Sequence, residues 1–339
     1  MTNERWYQQC GNDGDVVIST RIRLARNVDH VPFPAVMTAQ QKEEIVSRVF
    51  DVLPEGQDNS LRHIRMTTLT ETEALSMVER HLISPVFARR DDGAALLLSR
   101  DESVSIMVNE EDHLRIQVIR AGLDLDSALE EADRWDDLLD APLHFAFDER
   151  LGYLTQCPTN LGTGMRASLM LHLPALQERG IVQQLASTVS KLGLTIRGMY
   201  GEGSKSAGAI YQLSNQVTLG ITEAEAIENL KNIAAQIIKE ERSGREQMGQ
   251  NMAVQDRIFR SLGILQNARL LTGKEFMNTI SHVRMGVALG LIDHIDLGGI
   301  GTLLAEAQPA TLMLKNGRAL EPEERDACRA QLLRERLNK

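Results

Sequence analysis

Apolar and polar positions recur along this chain with two different periods, and the change from one to the other divides it. Residues 38–53, TAQQKEEIVSRVFDVL, place Ile45, Val46, Val49 and Leu53 at helical intervals behind Thr38, which predicts an amphipathic helix with a threonine cap. Residues 72–83 predict a second helix. Three short β-rich runs follow, at 94–100, 104–108 and 114–119, separated by turns too short for parallel crossovers, so they predict an antiparallel meander. Further strands are expected at 143–147, 166–172, 194–199 and 209–213, and helices at 124–140 and 175–192.

After Gly220 the pattern turns helical. Thr222-Glu-Ala-Glu225 has the form of a capping box opening a long helix, and Thr272-Gly-Lys-Glu275 opens another. The polar, glycine-containing stretch ERSGREQ interrupts the helical pattern near Gly244. It sets the expected boundary between a mixed α+β domain, 1–244, and a helical domain, 245–339.

Composition limits what such a chain does. With 42% hydrophobic and 25% charged residues among 339, it reads as globular over most of its length. No apolar run is long enough for a membrane span, and the N-terminal stretch lacks the features of a secretory signal, so a cytoplasmic location is expected. Cys10, Cys157 and Cys328 lie far apart and form no CxxC pair, which suggests neither a disulfide framework nor a zinc site. The net charge of −10 argues against a general nucleic-acid or membrane-surface binder, since those draw their affinity from clustered Lys and Arg. Local binding of anions is still open to it.

The common nucleotide motifs are absent. Gly198-Met-Tyr-Gly-Glu-Gly203 lacks the Lys-Ser/Thr pair that a P-loop carries directly after its last glycine. Arginines offer another route to a polyphosphate, because a guanidinium keeps its charge and binds phosphate oxygens in pairs. Arg21 and Arg23 alternate in Ser19-Thr20-Arg21-Ile22-Arg23 and share a side if that segment is extended; Arg115, Arg166 and Arg197 sit singly beside turns or glycines. Taken one at a time, each arginine is better explained as a surface salt bridge, and acidic residues in turns such as Glu111 and Glu202 as solvated charge.

Four ordered segments change that reading: Ser19–Arg23, Asn109-Glu-Glu-Asp-His-Leu-Arg115, Cys157-Pro-Thr-Asn-Leu-Gly-Thr-Gly164, and Arg197-Gly-Met-Tyr-Gly-Glu202 followed by Leu213-Ser-Asn-Gln216. Together they resemble the guanidino (phosphagen) kinase family, which includes creatine kinase and arginine kinase. The resemblance implies an antiparallel sheet flanked by helices and an ATP site. That site would comprise Ser19, Thr20, Arg21, Ile22 and Arg23; His81; Arg115; Arg166, Ala167, Ser168, Leu169 and Met170; and Arg197, Gly198, Met199, Tyr200, Gly201 and Glu202. Mg2+ would be held mainly by the nucleotide phosphates. Glu111 and Glu202 match the carboxylates that grip and deprotonate the acceptor guanidinium, and Cys157 matches a reactive cysteine beside it. Glu110 and Asp112 are weaker candidates for indirect magnesium contact or for holding the loop. The stretch Gly201–Gly208 is expected to act as a lid.

Two departures from the small-molecule kinases are visible. Only 18 residues precede Ser19, where those enzymes carry a helical domain, and residues 245–339 add a helical region they lack. Both features resemble the bacterial protein-arginine kinases and imply phosphorylation of arginine side chains in proteins, with an activator protein and a bacterial protease complex as partners in a stress response. A homodimer or higher homo-oligomer is also implied. Arg325-Asp326-Ala327-Cys328-Arg329-Ala330 has the RDxxRA form of an allosteric phosphoarginine-binding site in those kinases. Arg325 and Arg329 stand one helical turn apart, where a phosphoryl group would bridge them. Asp293-His-Ile-Asp296 is read as a turn between helices instead of a metal cluster. A small-guanidine phosphagen kinase and a non-catalytic phosphoarginine adaptor are the alternatives.

Overall fold

The computed structural model describes residues 4–56, 61–90, 92–198 and 206–338. In chain order its strands are β1 (Val17–Arg26), β2 (Arg62–Arg65), β3 (Ala95–Leu98), β4 (Val104–Val108), β5 (Leu114–Ala121), β6 (Phe147–Asp148), β7 (Gly152–Tyr153), β8 (Met165–His172), β9 (Leu194–Gly198) and β10 (Ile210–Asn215). All except β6 and β7, which pair as a small hairpin, join one sheet in the order β2-β3-β4-β5-β1-β8-β10-β9, antiparallel at every step. The helices are α1 (Ala39–Val52), α2 (Glu71–Glu79), α3 (Leu125–Leu143), α4 (Pro174–Glu178), α5 (Val182–Ser190), α6 (Glu223–Gly249), α7 (Met252–Asn267), α8 (Gly273–Ala288), α9 (Leu297–Glu306), α10 (Pro309–Asn316) and α11 (Pro322–Leu337).

Strand alternation sorts the sheet into two faces. Ile22 and Leu24 of β1, Ile116 and Val118 of β5, and Ala167 and Leu169 of β8 point into a core built with Ile45 and Val49 of α1, Trp135 and Leu139 of α3, and Leu230 and Ile237 of α6. The other face is apolar only at its ends. Under α2, Met77, Leu82 and Phe87 pack with Leu96, Leu98 and Met107. At the opposite end Ile18, Met170 and Ile210 pack into the core of the helices that follow α6. The middle of that face is left to polar side chains.

Several expectations hold and several need correcting. The threonine caps at Thr38 and Thr222 both close capping boxes, with Gln41 and Glu225. The strand expected at 143–147 is absent as such: α3 runs on through Leu143, and only Phe147 joins a strand, in the small hairpin. Asp140 ends the helix locally by accepting from the His144 and Phe145 amides at 2.8 and 2.7 Å. The helix expected at 175–192 breaks at Gly180, whose φ of +68° separates α4 from α5. α2 ends at Glu79, so His81 lies beyond the helix with φ +62°. Gly244 does not interrupt α6: a Cβ there would stand 2.9 Å from that of Ala175, so the glycine lets α4 lie against an unbroken helix.

Candidate active site

The register of the strands gathers the motif arginines. Arg23 on β1 lies opposite Gln117 on β5 and Arg166 on β8; Arg21 lies opposite Ile119 and Ser168; Arg115 lies opposite Ala25 and Met107. On the far side of β8, Met170 pairs with Gln212 and Gln212 with Arg197. Residues paired across a ladder share a face. Arg21, Arg23, Arg115, Arg166 and Arg197 therefore stand together on the polar middle of the sheet, with Ser19, Ser168 and Met170 among them. Thr20, Ile22, Ala167 and Leu169, the alternate members of the same motifs, turn to the core side; Thr20 Oγ1 donates to Gly122 O at 2.7 Å and so holds the turn before α3.

Their electrostatics are those of a site built for an anion. Arg23 is pushed well below its ordinary pKa by burial and by the positive charges of Arg21, Arg115 and Arg166, and its Nε has no hydrogen-bond partner among the described residues. Burial and Arg115 bring Arg21 down to about 10; it donates to Gln212 Oε1 at 2.9 Å. Arg166 is lowered by burial, then by Arg197 and Arg115. Five guanidinium groups repelling one another in a half-buried space are stabilised by a ligand that carries several negative charges.

His81 forms one wall of the pocket that Ser19, Arg21, Met170 and Gln212 also line, with its ring 6.5 Å from that of Trp6. Burial and the charge of Arg21 depress its pKa to about 4, so the ring is neutral at physiological pH. Neutral imidazole beside cations suits the uncharged end of a ligand.

The acidic loop divides into three roles. Glu110 accepts two bonds from Arg115 Nη1, at 2.8 and 2.7 Å, and one from Ser84. Asp112 accepts from Asn27 Nδ2 and from the Gln156 amide, both at 2.7 Å, which ties this loop to the segment entering Cys157. Glu111 is the carboxylate left facing the arginines. Burial raises its pKa, Asp112 and Glu110 add to the rise, and Arg115 and Arg166 oppose it. Cys157 sits 3.1 Å from Thr159 Oγ1 at the start of a 3₁₀ turn over Pro158–Asn160, near Arg166. The glycines of this loop are required by its backbone: Gly162 has φ +101° and a Cβ there would lie 2.1 Å from Thr218 O.

Met199, Tyr200, Gly201 and Glu202 lie outside the described residues, as does most of the expected lid; Arg197 and Gly198 lie within β9. Sequence reasoning missed Gln212, Ser84, Asn27 and Trp6. Gln212 is recoverable once β9 and β10 are paired, because alternation then puts it beside Arg197. Nothing local marks the other three.

Comparison with known proteins meets this geometry directly. The family described as ATP:guanido phosphotransferase, C-terminal catalytic domain, matches residues 41–244. The chain belongs to that family. A second family, described as the protein-arginine kinase McsB C-terminal domain, matches residues 251–339. Among the relatives of this guanido phosphotransferase is a protein-arginine kinase of Halothermothrix orenii, 45% identical over 335 residues, which span 98% of this chain and 96% of that protein. Another, from Geobacillus stearothermophilus, is 44% identical over 98% of this chain and 93% of its own length. The duplicated taurocyamine kinase from Schistosoma mansoni, solved with bound transition state analog components, superposes with TM-score 0.62 and 26% identity over 68% of this chain and 33% of that one. Lombricine kinase shares the fold at TM-score 0.61 and 24% identity, over 69% of this chain and 68% of its own.

In the helical part of the guanido phosphotransferase, the RDxxRA segment lies in the first half of α11. Arg329 is 2% exposed and turns inward: it donates to Ala307 O at 2.9 Å, to Leu271 O at 2.8 Å and to Asp326 at 2.7 Å. Arg325, Asp326, Ala327 and Cys328 are partly exposed, and Ala330 is buried. The two arginines therefore do not present one shared surface. The buried stripe of Ala330, Leu333 and Leu337 carries Arg329 inward with it and leaves Arg325 outside. Asp296, from the stretch read as a turn, caps α9 by accepting from Gly299 N at 2.6 Å.

Proposed function

We infer that the chain is a protein-arginine kinase, which transfers the γ-phosphoryl group of ATP to the guanidinium of arginine side chains in proteins. The observation that carries this is the row of mutually repelling arginines beside one free-facing carboxylate, in a chain similar over nearly its whole length to proteins of that name. Arg21, Arg23, Arg115, Arg166 and Arg197 hold the triphosphate; Ser19, His81, Ser168 and Met170 receive the rest of the nucleotide. The residues present suit magnesium carried on the nucleotide, since Glu110 is engaged by Arg115 and Asp112 by Asn27 and Gln156. When bound, the ion supplies charge neutralisation at the phosphates.

On the family resemblance, Glu111 and Glu202 are the carboxylates that grip the acceptor guanidinium, and Cys157 is the cysteine beside it. Glu111 takes a proton from a terminal guanidinium nitrogen, which is a poor nucleophile while protonated. The nitrogen lone pair forms the N–P bond as the bond from the γ-phosphorus to the β–γ bridging oxygen breaks, and the electron pair leaves with ADP. Orientation and charge balance supply most of the acceleration. Cys157 forms no bond in this path.

The regulatory reading of Arg325–Ala330 becomes one in which Arg325 and Asp326 meet a phosphoarginine while Arg329 holds the segment in place. Arg325→Ala is expected to keep basal activity and lose stimulation by phosphoarginine; an unchanged response removes the claim. A cytoplasmic setting, an activating protein, a protease that receives the marked clients and a homodimer or larger assembly complete the reading.

The deciding experiment incubates the chain with MgATP and an unfolded arginine-containing protein, beside free arginine and creatine. Phosphate is mapped by mass spectrometry under conditions that preserve the acid-labile N–P bond. Phosphate on client arginines establishes the function, whereas phosphate on the free guanidines alone makes the chain a small-molecule phosphagen kinase.

A further inference from the structure

The residues that hold His81 do not all belong to the sheet. Two residues earlier, at the end of α2, the Glu79 carboxylate reaches into the helical region. Its Oε1 accepts from Ala310 N at 2.8 Å, and its Oε2 accepts from Thr311 N at 2.8 Å and Thr311 Oγ1 at 2.9 Å. Ser76, one turn before, places its hydroxyl 3.0 Å from the same Thr311 oxygen.

α10 depends on this contact. Its N-cap, Gln308, makes no side-chain capping bond, and Pro309 at the first helical position has no N–H to satisfy. The next two amides, Ala310 and Thr311, have no partner inside the helix, and Glu79 takes both. A carboxylate there also meets the positive end of the helix. Just upstream, Ala307 O accepts from Arg329 of α11. The start of α10 is thus gripped from α2 on one side and from α11 on the other.

On the α2 side the turn after Glu79 is under strain. His81 has φ +62°, a conformation that costs a residue with a Cβ on the order of 1 kcal/mol or more and persists only where its neighbours enforce it. Gln117 Nε2 donates to His81 O and Leu82 O at 3.0 and 3.1 Å, Arg80 pairs with Glu102, and Glu79 is fixed to α10. Two of these anchors lie within the sheet and its turns; the third is the helical region.

We propose that Glu79 is a positioning residue for the nucleotide: through it α10 fixes the end of α2 and the turn at His81, so the helical region sets how tightly the non-phosphate end of the nucleotide is held. This rests on the reading of His81 as a nucleotide contact. No group of Glu79 touches the reacting atoms.

The test is a calorimetric titration of the full chain with MgATP, with kcat and KM measured in parallel, on Glu79→Ala, Thr311→Val, His81→Ala and the double variant Glu79→Ala/His81→Ala. Glu79→Ala is expected to weaken MgATP binding about tenfold and Thr311→Val about threefold, with kcat at saturating MgATP within about twofold of the parent. In the His81→Ala background, Glu79→Ala should add less than about twofold, because the two residues act on one contact. Equal weakening in both backgrounds, or undiminished affinity in a folded Glu79→Ala chain, overturns the proposal. Should Glu79→Ala fail to fold, Thr311→Val decides, since it removes the hydroxyl's two contacts to α2, with Glu79 and Ser76, and leaves the carboxylate in place. A parent chain that binds no MgATP defeats the nucleotide reading itself and takes this inference with it, an outcome distinct from a parent that binds and a variant that does not care.

Discussion

Arg23 shows what the fold gives up for its ligand. A guanidinium hemmed in by three others, with its Nε unmatched among the described residues, destabilises the empty protein and waits for an anion. Arg23→Met keeps much of the side chain's volume and removes the charge. It is expected to abolish MgATP binding while raising stability without nucleotide by about 1–2 kcal/mol, a shift of about 1–3 °C in Tm. Thermal melts with and without MgATP check both halves; a lower Tm in the empty variant means the arginines are better compensated than their geometry implies.

Glu111 makes the complementary case for a base. Its carboxyl must be ionised to accept the proton, and burial, Asp112 and Glu110 all hold its pKa above the ordinary value. The acid limb of kcat/KM should therefore fall at a higher pH than an ordinary glutamate, near about 4.3, would give. Asp112→Asn removes one of the raising charges and keeps an acceptor for Asn27 and Gln156, so the limb should move to lower pH. A limb that stays put points to another base. Glu111→Gln is expected to lose transfer and keep nucleotide binding, and lost MgATP affinity in that variant argues against the role. At this scale the sequence was legible where a motif fixed a residue's neighbours. The alternation in Ser19–Arg23 put Arg21 and Arg23 on one side, as found. That Glu110 is spent on Arg115 while Glu111 is not depends on where Ser84 and Asn27 arrive from distant segments, which adjacent residues do not encode.

Among the elements, α6 is the joint of the molecule. Glu241 on it is fully buried and accepts from Ala175 N at 3.0 Å and Leu176 N at 2.9 Å, the first free amides of α4 behind Pro174, and from Arg245 Nε at 2.7 Å. Arg245 in turn donates to Asp15 O and His172 O at 2.9 and 2.6 Å. Glu241→Ala strips α4 of its cap and leaves a buried guanidinium without its counter-ion, which is expected to cost about 3–5 kcal/mol by denaturant unfolding. A loss below about 1 kcal/mol, the range of an exposed pair, means water reaches Arg245. The errors in reading elements from sequence share a cause with this example. Apolar runs 143–147 and 175–192 satisfy local patterns for strand and helix, but Asp140 extends and ends α3, and Gly180 splits α4 from α5 so that α4 can dock on α6. Gly244 looks like a break only until the Ala175 methyl pressing on it is known. The capped starts at Thr38 and Thr222 were legible because a cap is completed within four residues.

At the scale of the whole chain, the question is whether the sheet and the helices after α6 unfold as one. Their connections are of three kinds. Arg242 pairs with Asp13 and Asp15, and Arg245 and Arg284 donate to Asp15 O and Gly14 O, so α6 and α8 together hold the turn that leads into β1 and its arginines. Ile210 of the sheet is buried in the core of the later helices, and Ile18 and Met170 pack against it. Glu79 completes α10. Removing either half exposes apolar surface and buried arginines on the other, so each is costly without its neighbour. Calorimetric melting should show one transition, and MgATP at about a hundred times its Kd should move that transition as a unit by the equivalent of about 2.7 kcal/mol. Two transitions, of which MgATP moves only the first, would mean that the helical region stands apart from the nucleotide site and that regulation from α11 must travel by another route. A single shifting transition means that the nucleotide site and α11 belong to one cooperative unit, so that the arginines and the helical region are lost together.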